Sequence, residues 1–168
     1  MSTRVLMAPV LFGHWLSFLH YRRQCEPWDE VAPGVFVGRH LSDREALQAI
    51  QVGITAVLDL TAESSEAGPF LRLPYKNLPV MDLTAPSQEQ FREGVAFIQE
   101  HLKQGKVYIH CKIGYSRSAA MAAAHLLVCK LDRNPEDAFE RLRRVRPSIV
   151  IRPEIRSGLI EFQAQQME

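Results

Sequence analysis

Cys111 and Arg117 are separated by five residues, Lys112, Ile113, Gly114, Tyr115 and Ser116, with His110 just before them and Ser118 just after. A loop of that length entering a helix can turn its backbone N–H groups inward as an anion nest, and the helix N-terminus adds partial positive charge at the same point. A phosphoryl group suits such a nest. Gly114 can supply the unusual backbone angles of a tight loop, and Arg117 offers a planar fork able to hold two equatorial oxygens. The N–H groups, the helix dipole and Arg117 all favour the thiolate of Cys111, which makes it a candidate nucleophile forming a covalent cysteinyl-phosphate. Ser118 is placed to hydrogen-bond the sulfur as it leaves that intermediate. His110 is expected to orient the loop and need not transfer protons itself.

Expelling an alkoxide or phenolate requires a proton, so a carboxylic acid must reach over the nest from a second loop. Asp82, within LPVMDLT (residues 78–84), is the upstream carboxylate in a loop at a suitable distance. The negative charges of thiolate and phosphate would favour its protonated form. A turn-forming or helix-capping aspartate is the plainer alternative for the same residue. Asp59 is set aside because it lies within a strand, and Glu63 because a structural role suffices just after that strand.

These residues need a scaffold that brings a strand end, a helix start and a second loop together. From Val31 onward, short β-branched runs alternate with helical stretches that carry their own caps, the pattern of a single α/β domain with a central, mostly parallel, twisted sheet flanked by helices. Val35 to Gly38 reads as the first strand, and Ser42 with Glu45 forms a capping box opening a helix to about Gln51. Ile54 to Leu60 is a buried strand. Leu71 to Val80, interrupted by Pro74 and Pro79, is an edge strand or extended segment, and Met81 to Pro86 is a loop. Ser87 with Gln90 opens a second helix that ends near Gly105. Lys106 to His110 is a strand running into Cys111, and Ser118 to Lys130 is a small-residue helix suited to close packing. Asn134 with Pro135 starts a helix to about Arg146, and Pro153 starts the last.

The 168 residues, 46% of them hydrophobic, suit one core. Twenty basic and nineteen acidic residues leave a net charge of +1, so no global field favours a nucleic-acid partner or an anionic membrane surface. Three cysteines and six histidines lack disulfide or metal-ligand spacing, pointing to a reducing, cytoplasmic setting with no structural metal and no cofactor. Residues 1–29 form a separate N-terminal segment whose stretch from Val5 to Leu19 is apolar apart from His14 and Ser17. That stretch falls short of the roughly 20 apolar residues of a membrane span, and it lacks the flanks of a secretory signal. It reads either as an in-plane membrane anchor, with Trp15 and Phe18 inserted and Arg22 and Arg23 at the headgroups, or as a tail packed on the domain. Cys129 and His125 are expected in the core, Cys25 as a resolving thiol only if the tail folds back, and the basic run Arg141 to Arg146 on a solvated helix face.

His110 to Ser118 matches HCxxGxxR[ST], and over roughly Glu30 to Phe162 the chain resembles the dual-specificity branch of the protein tyrosine phosphatase superfamily. The resemblance implies a catalytic domain over residues 30–168, a phosphorylated substrate and metal-independent phosphomonoester hydrolysis, with Asp82 in the family's general-acid loop. The segments LPVMDLT, VYIHCKIGYSRSAAMAAAHLL and NPEDAFERLRRVRPSIVIRP look most like mitochondrial-type lipid phosphatases acting on phosphatidylglycerophosphate, and their bacterial relatives. In that resemblance Lys112 is the residue that phosphoinositide-directed members tend to carry, and Arg152 stands at a family position that braces the acid loop or binds substrate. Tyr115 departs from the pattern, since those lipid phosphatases usually have a basic residue there. A protein-tyrosine or dual-specificity protein phosphatase is the close alternative, and an inactive phosphate-binding module a more distant one.

Overall fold

The computed structural model describes residues 26–166 apart from Ser64. The expected N-terminal anchor or tail and Cys25 lie outside the described residues. Five strands, β1 (Trp28–Ala32), β2 (Val35–Arg39), β3 (Ile54–Thr61), β4 (Tyr75–Val80) and β5 (Lys106–Cys111), form one sheet in the order β1-β2-β5-β3-β4. β1 pairs antiparallel with β2, and every other pairing is parallel, so the sheet is mixed. The helices are α1 (Asp43–Gln51), α2 (Gln88–Leu102), α3 (Arg117–Val128), α4 (Pro135–Val145) and α5 (Pro153–Gln165).

The elements start and stop where local chemistry dictates. Both predicted capping boxes form, Ser42 with Glu45 at α1 and Ser87 with Gln90 at α2. Asn134 caps α4 by accepting from the Asp137 N–H, with Pro135 in the first turn. β4 is an edge strand containing Pro79, and a 3₁₀ turn at Phe70–Arg72 precedes it. The strand β1 was not legible as one. It joins β2 through Pro33 and Gly34, whose φ of +77° suits glycine.

β5 occupies the middle of the sheet and α3 the middle of the helical layer. From Arg117 to Leu127 every residue of α3 is buried. Gly94 of α2 lets Met121 of α3 come close, since a Cβ there would lie 2.4 Å from the Met121 sulfur. The main core packs α2 to α5 on one face of the sheet, and a smaller one packs α1 and Phe70 on the other. Thus the loop between β5 and α3 springs from two firmly buried elements.

Candidate active site

Cys111 is the last residue of β5, paired in register with Arg39 of β2, and is only 3% exposed. Its sulfur lies 3.5 Å from Ser118 Oγ and accepts the Gly114 N–H at 3.3 Å. Burial pushes the thiol pKa up, but the Arg117 charge, the Ser118 hydroxyl and the N–H groups of Ser118 and Gly114 outweigh it, and the net direction is down. Ser116 makes no side-chain capping bond at the start of α3, so no side chain competes there for the helix's first N–H groups.

Gly114 holds φ +78°, and a Cβ at that position would lie 2.5 Å from the backbone of Gly38. Only glycine fits there. Its N–H is directed to the sulfur, so of the expected phosphate-holding residues it lies beneath the cleft. The loop is braced from behind by the His40 N–H, which donates to the Lys112 carbonyl at 3.2 Å.

Arg146 supplies a second brace that sequence reasoning placed wrongly on a solvated face. It is 2% exposed; its Nε donates to the Gly114 carbonyl at 3.0 Å, and its Nη1 reaches Asp29 at 2.5 Å and the Glu26 carbonyl at 3.1 Å. Within the same run Arg141 is tied to Asp132, whereas Arg143 and Arg144 are exposed.

Arg117 is held by a residue that was set aside. Glu63 accepts from Nη1 at 2.9 Å and from Nη2 at 2.8 Å, and the Val80 carbonyl takes a further Nη1 hydrogen at 2.9 Å. Of the five guanidinium hydrogens, those on Nε and the second on Nη2 are left for an anion. Asp82 stands across the cleft, with Oδ1 3.4 Å from Arg117 Nη2 and its side chain 64% exposed.

His110 lies under the loop, fully buried, with Nε2 at 2.5 Å from Glu66 and 3.7 Å from Asp59. Burial disfavours its charged form, yet the Glu66 carboxylate more than compensates and the imidazole pKa is raised. These three side chains are, among the described residues, the one group with ligand atoms close enough for a metal ion. Their oxygens already have partners: Asp59 accepts from the Thr61 N–H and the Tyr75 hydroxyl, and Glu66 from the Ala67 N–H. The group serves as a hydrogen-bonded support for His110.

The predicted residues therefore fall into two sets. Lys112, Ile113, Tyr115, Ser116, Arg117, Cys111, Asp82 and Arg152 line one cleft of about 320 Å³, together with Leu83 and Val150. His110, Gly114 and Ser118 lie beneath it. Cys129, expected in the core, is exposed just past the end of α3, while His125 is buried. Among the described residues, no helix is long and apolar enough to cross a membrane.

Residues 35–165 match the dual specificity phosphatase catalytic domain. Dual specificity protein phosphatase 2 of Homo sapiens is 34% identical over 141 residues, covering 81% of this chain and 43% of its own length. Phosphatidylglycerophosphatase and protein-tyrosine phosphatase 1 of Mus musculus is 39% identical over 87 residues, covering 51% of this chain and 45% of its own length. The chain thus spans less than half the length of these curated relatives. Among solved structures, the active form of Tk-PTP superposes with a TM-score of 0.76 at 26% identity, over 83% of this chain and 97% of that one. With the sequence match spanning β2 to β5, the loop and the five described helices, the chain belongs to the dual specificity phosphatase family.

Proposed function

We propose that this chain hydrolyses phosphomonoesters through a cysteinyl-phosphate, with a phospholipid head group as substrate. The observation that carries the reading is the environment of Cys111, a buried thiol pulled toward the thiolate at the mouth of an N–H nest. In the first step the sulfur attacks phosphorus, the bond to the leaving oxygen breaks, and Asp82 gives that oxygen its proton. In the second, water attacks phosphorus, Asp82 takes a proton from it, and the P–S bond breaks to release phosphate and the thiolate. Arg117 neutralises the equatorial oxygens in both steps, and the Ser118 hydroxyl stabilises the departing sulfur.

The lipid reading is supported by the phosphatidylglycerophosphatase named above and by two cations, Lys112 and Arg152, in the cleft lining. A second reading, phosphotyrosine in a protein, is favoured by Tyr115, an aromatic ring lining the same cleft. Phosphate release in the presence of chelator and reductant, compared across phosphatidylglycerophosphate, phosphoinositides and phosphotyrosine peptides, separates the two. Cys111→Ser is the blank, with turnover expected to fall by about 10⁴-fold. Preference for peptides would replace the lipid reading. Binding without turnover by the parent chain would leave a phosphate-recognition module.

A further inference from the structure

The cleft opens on a rim of apolar side chains and two cations, with the Asp82 carboxylate among them. Met81, Leu83 and Val150 are 71%, 60% and 47% exposed. Leu83 and Val150 line the cleft beside Lys112 and Arg152, and Met81 adjoins Asp82. Their exposure is built in. Leu83 holds φ +66°, a left-handed conformation disfavoured for a bulky side chain. A turn maintains it, with Met81's carbonyl accepting from the N–H and hydroxyl of Thr84 and Asp82 Oδ1 accepting the Leu83 N–H. Val150 is pinned by its own N–H, which donates to the Tyr115 carbonyl at 3.1 Å.

Large apolar residues that protrude around a cationic opening call for a covering that is both apolar and anionic. With an overall charge of only +1, the attraction has to come from these local cations. The apolar side chains rise from two separate loops on either side of the phosphate site, a workable set of anchors for an interface. We propose that this rim docks on an anionic phospholipid bilayer. Met81, Leu83 and Val150 enter the acyl boundary, Lys112 and Arg152 meet headgroups, and the cleft faces the lipid phosphates. The inference rests on the lipid reading above and deepens it by assigning the surface from which substrate is taken.

The 168-residue chain is mixed with vesicles of phosphatidylcholine and phosphatidylglycerol, with brominated acyl chains as quenchers. The emission of Met81→Trp, corrected for the native tryptophans, should shift to the blue and be quenched. That of Leu131→Trp, beyond the opposite end of α3, should not change. Met81→Gln should weaken vesicle association by about tenfold while hydrolysis of a soluble aryl phosphate stays within about twofold. Vesicle binding that leaves the Met81→Trp indole unquenched would overturn the proposal and locate the contact elsewhere, in residues 1–25 for instance. Absence of vesicle binding would overturn it equally, and would make the rim a protein-docking face. Phosphate release from detergent-dispersed phosphatidylglycerophosphate is measured in parallel. Quenching without lipid turnover refutes the substrate reading alone, and lipid turnover with an unquenched indole refutes the docking alone.

Discussion

Beneath the cleft the loop is held from behind by Arg146, His40 and Ser118, whereas along its rim Met81, Asp82, Leu83, Val150 and Arg152 stand largely in solvent. The difference separates two tasks. Stabilising a thiolate and a phosphoryl group demands donors fixed before the substrate arrives, because reorganising them would consume the electrostatic advantage. Selecting a substrate needs surface that can meet something outside the protein, and such surface can remain exposed. Substitutions beneath should therefore damage chemistry or folding, and those on the rim should damage selection, with Asp82 as the instructive exception.

Asp82→Asn is expected to lower kcat by about 10³-fold on substrates with poor leaving groups and by far less on an aryl phosphate whose phenolate leaves unaided. Steady-state kinetics across a leaving-group series check this, and an equal loss on every substrate would remove Asp82 from the acid role. Next in size, Arg146→Met should cost about 3 kcal/mol of stability by leaving Asp29 and the Gly114 carbonyl without their buried partner, read as a drop in the urea midpoint. Recovery of most of that loss by a lysine would mean that charge, and not the guanidinium fork, does the bracing.

Glu63→Gln frees Arg117 to adopt other rotamers and should reduce kcat/KM by about thirtyfold, mostly in kcat, with the thiol pKa moving up as the guanidinium leaves the sulfur. For Ser118→Ala the expected sign is an upward move of the acidic limb. The hydroxyl favours the thiolate, so removing it raises the thiol pKa and activity appears only at higher pH. Thiol titration by alkylation rate gives the same quantity without turnover. The smallest effect is on the rim. Arg152→Ala should raise KM about threefold for a lipid substrate and leave a small aryl phosphate unaffected. A loss on both would blur the division between rim and floor.

What the sequence reveals follows the range of each interaction. Capping boxes at Ser42 and Ser87, the Asn134 cap and the run from His110 to Ser118 are local, and each was legible from neighbouring residues. Arg146 was not, because its partners Gly114 and Asp29 are 32 and 117 residues away and a basic run on an amphipathic helix looks the same whether or not its last member turns inward. Glu63 and Glu66 gave no sign either, since their partners Arg117 and His110 lie 54 and 44 residues on. The signal available was two acids just after a buried strand that ends beside the loop. Trp28–Ala32 escaped notice because only its last two residues are buried and the alternation of a half-buried strand is missing.

The proline in β4 bears on how copies of this chain behave when crowded. β4 is an outer strand of the sheet, and Pro79 has no amide hydrogen to offer an incoming strand, while Lys76 places charge on the same edge. At the opposite margin β1 carries Asp29 and Glu30. Among the described residues neither border is a good template for strand addition, and at high concentration the chain should resist growing into fibrils through these two strands.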